Sequence, residues 1–172
     1  MTEVGVIPLR VLTLIMTGHG SPSVVVLEPI EESTGQASRI VPIWVGSTEA
    51  AQLGIALEGA KLPRPLTHDL FLDALTNLDA TVDHVLIDGV NKQTFYAKLV
   101  LKQGGRLIPL DARPTDALAL ALRQQAPLYI TEEVLERASF PYIFKTPKDE
   151  EVELQQFHSF VDSLKPEDFL DE

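Results

Sequence analysis

Residues 117–122 read Ala-Leu-Ala-Leu-Ala-Leu, and this run constrains the fold more than any other part of the sequence. A helix of alternating alanine and leucine is apolar on every face, so we expect it to lie inside the protein. Pro114 comes shortly before the run and suits the first turn of a helix, where its missing N–H is not needed. The sequence therefore predicts a buried helix that begins near Pro114.

Three charged residues stand at the start of this helix. Residues 106–110 are typical of a short strand, so Asp111, Arg113 and Asp116 fall where a strand leads into a helix N-terminus. Such positions often carry ligands and chemistry, because helix N-termini attract anions and loops tolerate functional residues. We therefore take this junction as the first candidate site.

The rest of the pattern indicates an α+β fold. Strands come in pairs with turn residues between them, and helical segments separate the pairs, which is typical of a mixed sheet built from hairpins with packed helices. Ser47 and Thr67 are expected to cap two of the helices. The predicted strands are residues 7–17, 24–30, 40–45, 81–87, 94–101, 106–110 and 127–131, and a short helix is predicted at 132–138.

A chain of 172 residues with 45% hydrophobic residues can bury one main core. We predict a domain over residues 1–140, followed by a linker over 141–147 and an acidic C-terminal helix in the remainder up to residue 172. Apolar residues recur in that helix at helical spacing, so we expect it to dock on the body or on a second subunit. The apolar residues are Phe157, Phe160, Val161 and Leu164, and Pro166 ends the helix.

The charge and the absence of cysteine limit the function. The net charge is −11, but residues 148–172 contribute −7 of it, from nine acids and two bases, while residues 39–123 are neutral. The acidity therefore weakens the case for a polyanionic substrate without excluding it. With no cysteine, a metal would need carboxylate or histidine ligands. The N-terminus lacks the features of a signal peptide and no stretch is long enough to span a bilayer, so we expect a cytoplasmic protein without a membrane partner.

Three motifs occur in order along the chain: VPIWVG at residues 41–46 followed by Glu49, PRPLTHD at 63–69, and DARPTDA at 111–117, with TFYA at 94–97 before the last. Together they resemble the bifunctional nuclease family. The resemblance covers nearly the whole chain, including KPEDF at 165–169. It implies cleavage of both DNA and RNA, a wedge-like mixed α/β domain, and a homo-oligomer. Thr115 stands where the family more often has serine.

Asp111 and Asp116 are the candidate metal ligands. Carboxylate pairs bind Mg²⁺ or Mn²⁺, which prefer oxygen ligands, and Arg113 can hold a phosphate with its two-pronged guanidinium. The hydroxyl of Thr115 can donate to substrate or cap the helix. The alternative is that Asp111 or Thr115 caps the helix and Arg113 pairs with Asp116 to close its mouth.

His68 is the candidate general base, with Asp69 orienting it. Histidine is the usual base near neutral pH, and a carboxylate neighbour raises its basicity. The rigid Pro-Arg-Pro segment before it favours a fixed position and makes Arg64 a second candidate phosphate contact. The alternative is an exposed first helical turn in which Asp69 only complements the helix dipole.

Glu49, Trp44 and Tyr96 have simpler interpretations. Glu49 lies in the first turn after a strand and most simply complements a helix dipole. Trp44 and Tyr96 can stack on bases, although isolated aromatic residues in strands more often belong to the core.

The sequence thus predicts a nuclease that hydrolyses phosphodiester bonds with the help of a divalent metal. The proposed catalytic residues are His68, Asp69, Asp111, Arg113 and Asp116. Two alternatives remain: a non-enzymatic regulatory or interaction module that binds a small anion or a protein partner, and a purely structural role for the three motifs. The zero net charge of residues 39–123 and the lack of a basic patch favour the alternatives.

Overall fold

The computed structural model describes residues 5–18, 21–30 and 38–142, together with Ser159. Within them, eight strands form one mixed sheet and four helices pack with it, so the predicted α+β fold is confirmed. In chain order the elements are β1 (Val6–Ile15), β2 (Ser23–Pro29), β3 (Ser38–Val45), α1 (Ser47–Glu58), α2 (Thr67–Asn77), β4 (Ala80–Asn91), β5 (Thr94–Gln103), β6 (Arg106–Ala112), α3 (Pro114–Gln124), β7 (Leu128–Thr131), α4 (Glu132–Ala138) and β8 (Phe140–Tyr142).

The strand order across the sheet is β6-β5-β4-β7-β1-β2-β3-β8. Strands β4 and β7 run parallel and the other neighbours antiparallel. Both predicted hairpins, β1–β2 and β4–β5, are present. The second is longer than predicted and turns at Lys92 and Gln93, where Lys92 adopts a left-handed conformation with φ of 54°. Gly104 and Gly105 also have positive φ, which glycine adopts without strain, and they form the turn into β6.

The alanine and leucine helix is buried, as its sequence predicts. Ala117, Leu118 and Ala121 have no exposed surface, and α3 packs against α1, β4 and β5. The small alanine side chains allow neighbouring elements to approach α3 closely, and the leucines fill the space between them. Leu118→Ala would leave a cavity and cost about 2–5 kcal/mol.

The sheet curves strongly around α3. Six strand spacings separate β3 from β6, which in a flat sheet would amount to about 29 Å. Yet Arg113, directly after β6, contacts Glu49, shortly after β3, at 3.1 Å. The curvature therefore brings together the ends of two strands that lie far apart in the strand order.

The helices begin differently from the prediction. Gly46 and Leu66, not Ser47 and Thr67, are the N-cap residues of α1 and α2, and neither cap has a side-chain hydrogen bond to the helix. In α2 the carboxylate of Asp69 instead accepts the backbone N–H of Leu66 at 2.9 Å. Pro114 is the first residue of α3, as predicted, with Arg113 as its N-cap.

Pro141 and Tyr142, predicted to open the linker, belong instead to β8, where they pair with Arg39 and Ser38 of β3. The remainder of that linker lies outside the described residues, as do Phe157 and the other apolar residues of the predicted C-terminal helix. Among the helices that are described, none is long and apolar enough to cross a membrane.

Candidate active site

Three helix N-termini meet at one end of the curved sheet. Glu49 lies in the first turn of α1, His68 in the first turn of α2 and Asp116 in the first turn of α3. The carboxylates are stabilised there by the partial positive charge of unpaired N–H groups. Arg113, the N-cap residue of α3, lies between Glu49 and Asp116. We call these four residues the Arg113 network.

The guanidinium of Arg113 joins the two carboxylates. Its Nε donates to Oδ2 of Asp116 at 2.7 Å and its Nη2 to Oδ1 at 3.1 Å, while Nη1 donates to Oε1 of Glu49 at 3.1 Å. The Arg113 side chain is nevertheless 64% exposed. The hydrogen bond from Arg113 lowers the pKa of Asp116, and the same bond raises the pKa of Arg113. Asp116 is therefore ionised throughout the neutral range.

His68 faces Asp116. Its Nε2 lies 3.5 Å from Oδ1 of Asp116, and its side chain is only 16% exposed. The other ring nitrogen, Nδ1, is buried and has no hydrogen-bond partner within the described residues. The network thus contains an imidazole that faces a carboxylate through one nitrogen and has the other nitrogen enclosed by the protein.

Asp69 does not orient His68, contrary to the prediction. Its Oδ1 accepts from Nε of Arg123 at 2.9 Å, and its Oδ2 caps α2 through Leu66. The Leu66 N–H bond is the main cause that lowers the pKa of Asp69, and Arg123 lowers it further. Arg123 is 9% exposed and also donates to the Ala119 carbonyl at 2.9 Å. Asp69 therefore ties the start of α2 to α3.

Asp111 lies apart from the network. It accepts from Nζ of Lys98 at 3.2 Å and is 79% exposed. The next residue, Ala112, packs against the core, so alternation along the strand directs Asp111 to the opposite sheet face. The two carboxylates proposed as metal ligands are thus not brought together, and no group of three acidic or histidine side chains suited to a metal occurs in the described residues.

The remaining candidates lie around the network. Arg64 is exposed in the segment before α2 and has no hydrogen bond or ion pair within the described ranges. Thr115 is half-buried and lines a cavity of about 380 Å³ beside Arg113. Trp44 and Phe95 also line this cavity, one from β3 and one from β5. The cavity thus combines aromatic surface, a hydroxyl and a guanidinium.

Two residues that sequence reasoning passed over are important here. Its position in the sequence predicts that Glu49 only complements a helix dipole, but it also accepts a hydrogen bond from Arg113. Arg123 is the charged residue that directly follows the apolar run 117–122, and that position is itself a signal. A buried arginine needs an acidic partner, so the sequence could have raised the question of which carboxylate it meets.

The fold and the network define a class: a mixed α+β domain with an arginine, two carboxylates and a histidine gathered at three helix N-termini. The chain belongs to the bifunctional nuclease domain family, whose model matches residues 26–142 and so includes the whole network.

Two groups of relatives support this membership. An uncharacterized protein of Mycobacterium tuberculosis is 37% identical over 147 residues, which cover 81% of this chain and 85% of that protein. Bifunctional nuclease 1 of Oryza sativa subsp. japonica is 26% identical over 121 residues, and the bifunctional nuclease of Oryza minuta matches equally well. Those matches cover 69% of this chain but 37% of the rice proteins.

Proposed function

We propose that this protein is a nuclease that hydrolyses phosphodiester bonds in DNA and RNA at the Arg113 network. The observation that carries the proposal is that one carboxylate, Asp116, contacts both an exposed arginine and a histidine. Family membership and the names of the rice relatives support the same activity.

Arg113 has the donors to bind a phosphate without leaving its partners. A guanidinium carries five N–H groups, and three of them serve Asp116 and Glu49. One N–H on each terminal nitrogen is left for two oxygens of a phosphate, the geometry that arginine recognises best. Arg64 and the Thr115 hydroxyl are the proposed additional contacts to substrate.

His68 is the proposed proton carrier. Hydrolysis requires that water lose a proton as its oxygen attacks phosphorus, and that the departing ester oxygen gain one. Because Nδ1 of His68 is buried, the proton is exchanged at Nε2. The ionised carboxylate of Asp116 faces this nitrogen and holds the ring in place, the role that the sequence had assigned to Asp69. Asp69 takes part indirectly, because it holds the start of α2.

Metal assistance by Mg²⁺ or Mn²⁺ stays a prediction. Carboxylate oxygens are suitable ligands, but both oxygens of Asp116 accept from Arg113, and Asp111 pairs with Lys98 on the other sheet face. In this arrangement Asp111 and Asp116 do not fit one divalent ion, so we derive no step through a metal.

A second candidate is a non-enzymatic module that binds a small anion or a protein partner. It is favoured by the hydrogen bonds within the network. Arg113 links Glu49 of α1 to Asp116 of α3, and a purely structural contact between these helices would have the same geometry. The net charge of −11 also opposes nucleic acid binding.

Three expectations from the sequence continue as proposals. We propose that the catalytic domain extends through β8, just beyond the predicted boundary at residue 140, and that the residues after β8 are an appendage. We further propose that the protein forms a homo-oligomer and acts in the cytoplasm.

The test is cleavage of single-stranded DNA, duplex DNA and RNA by purified wild type, Arg113→Ala and His68→Gln. The matched control is Arg106→Ala, which removes an exposed arginine at the start of β6. Both network variants should lose cleavage by about 10²-fold or more, while the control keeps it. Equal cleavage by all four proteins would place the activity elsewhere, and no cleavage by wild type would favour the binding module.

A further inference from the structure

Tyr96 is an exposed aromatic residue held in a fixed position. It lies in β5 between the buried residues Phe95 and Ala97, so its side chain is on the sheet face away from them. The side chain packs against Gly89 of β4, where an added Cβ would lie 3.4 Å from the Tyr96 Cβ and 3.5 Å from its Cδ2. Tyr96 is still 46% exposed. The missing side chain at Gly89 thus gives the ring a support on one side and leaves much of it open to solvent.

Two lysines share the sheet face of Tyr96. Lys98 and Lys102 follow in β5 at even spacing, so all three side chains are on the same side of the strand. Lys102 is exposed, and Lys98 is half-buried with Asp111 as its partner. We call Tyr96, Lys98 and Lys102 the outer β5 surface. It combines an aromatic ring with positive charge, although the Asp111 carboxylate offsets part of that charge.

The outer β5 surface begins at the same end of the sheet as the Arg113 network. Ala97 pairs with Ala112, the residue directly before Arg113, and Thr94 and Phe95 line the same cavity as Arg113. Tyr96 therefore lies at the same end of the sheet as the network, on the opposite face. A single-stranded nucleic acid bound at Arg113 would reach Tyr96 by passing around the end of the β4–β5 hairpin.

We propose that the outer β5 surface is a second substrate subsite, where an unpaired base next to the bound phosphate stacks on Tyr96. A phosphate several nucleotides further along the bound nucleic acid meets Lys102, which lies six residues, about 20 Å, beyond Tyr96 in β5. This inference rests on the proposed nuclease function. Stacking on an aromatic ring suits every base, because each base has a π-face, and a backbone-tracking lysine adds affinity without sequence preference. The interpretation of Tyr96 as a core residue is excluded by its exposure.

The experiment compares wild type with Tyr96→Ala and Tyr96→Phe on an eight-nucleotide single-stranded oligothymidylate. The matched control is Leu78→Ala, which shortens an apolar side chain that is 64% exposed directly after α2. Tyr96→Ala should raise KM and the Kd by about fivefold to 100-fold with kcat little changed, whereas Tyr96→Phe and the control stay near wild type.

Two further experiments locate the base that stacks on Tyr96 and test the phosphate contact of Lys102. A series of oligonucleotides with one abasic position should contain one member for which wild type and Tyr96→Ala bind equally, because the stacked base is absent. Lys102→Ala should reduce the salt dependence of binding by about one counterion.

The subsite and the proposed function can fail separately. If wild type cleaves nothing, the nuclease proposal fails, while the Kd series measured by fluorescence anisotropy still tests stacking on Tyr96. Equal KM and Kd for wild type and Tyr96→Ala would overturn the subsite even if cleavage is robust. A Tyr96→Ala variant that changes only self-association in sedimentation would also overturn it and assign this face to a second copy of the chain.

Discussion

Asp116 lies 3.5 Å from Nε2 of His68, although the two residues come from different helices that are far apart in the chain. The same carboxylate accepts two hydrogen bonds from Arg113. One side chain thus couples the candidate phosphate contact to the candidate proton carrier. Changing its charge while keeping its shape is therefore the most direct test of the network.

Asp116→Asn should preserve the fold and reduce cleavage. The amide keeps the size of the carboxylate, so we expect a loss of only about 1 kcal/mol in the free energy of unfolding. It no longer provides the negative charge that orients His68 and Arg113, so cleavage should fall by about 10²-fold or more. Asp73→Asn, which changes an exposed carboxylate of α2, is the control, and cleavage of DNA and RNA is the measurement.

The same assay tests the metal prediction. With Asp111→Asn added to the set, cleavage is measured with Mg²⁺, with Mn²⁺ and with a chelator. If Asp111 and Asp116 share a metal, both variants and the chelator should abolish cleavage. If this geometry persists during catalysis, Asp111→Asn should stay active, since the Asp111 carboxylate pairs with Lys98 and not with the Arg113 network in the described part of the chain.

The free energy of unfolding should fall in acid because of Asp69 and Asp116. Both pKa values lie below the ordinary 3.8 in the folded protein, through Leu66 N–H and Arg113 respectively. A lowered folded-state pKa stabilises the protein fully above the unfolded-state value, and this stabilisation is lost as the pH falls through the folded-state value. Urea unfolding at about pH 7 and about pH 3 should show a smaller drop for Asp116→Asn than for wild type. An identical drop would mean that Asp116 titrates normally.

Asp69→Asn should lower stability more than it changes the chemistry. The substitution leaves Arg123, which is 9% exposed, without its ionic partner and weakens the cap of α2. Because Asp69 itself is partly exposed, we expect a loss of about 1–3 kcal/mol. Well below the melting temperature, kcat should stay within a few-fold of wild type. A collapse of kcat with unchanged stability would restore Asp69 to the catalytic role that the sequence suggested.

The sequence predicted the fold well because its signals are local. The apolar run around Leu118 had to be buried, Pro114 marked the start of α3, and the turn residues set the hairpins. The helix caps were predicted less well, because Ser47 and Thr67 are favourable cap residues but the backbone places Gly46 and Leu66 there. In α2 the Asp69 bond to the Leu66 N–H replaces a side-chain cap.

The site was predicted only in part because its contacts are not local. Adjacency in sequence suggested that Asp69 orients His68, but successive helical residues point in different directions, and Asp116 occupies that place. Spacing along the motif suggested that Asp111 and Asp116 act together, but strand alternation directs Asp111 to the other sheet face. The contact between Glu49 and Arg113 depends on the curvature of the sheet, which no short motif encodes.

Shortening the chain to residues 1–147 should affect assembly more than local chemistry. The predicted C-terminal helix has a short apolar stripe that includes Phe157 and Phe160, and its outer face is acidic. Sedimentation of the full chain and the shortened chain should therefore show a smaller assembly or lower solubility for the latter. The same oligomer with the same melting temperature would contradict a docking role for this segment.

Gly46→Ala should separate the role of Glu49 at Arg113 from its role at the helix end. A Cβ at Gly46 would lie 2.5 Å from Oε2 of Glu49, so the carboxylate must move, while the backbone φ of −66° accommodates alanine. We expect stability within about 1 kcal/mol of wild type, because only the end of a flexible side chain shifts.

Cleavage should nevertheless fall in Gly46→Ala, and also in Glu49→Gln, because both variants weaken the bond between Glu49 and Arg113. Gly54→Ala, within α1, is the matched control. Its added Cβ would be 3.7 Å from Leu14 Cδ2, an ordinary contact distance. Alanine stabilises a helix interior by about 0.5–1 kcal/mol relative to glycine. Full activity in Gly46→Ala together with a loss in Glu49→Gln would show that the charge of Glu49 acts without its bond to Arg113. Full activity in both variants would leave Glu49 as a dipole acid only, as its sequence position first suggested.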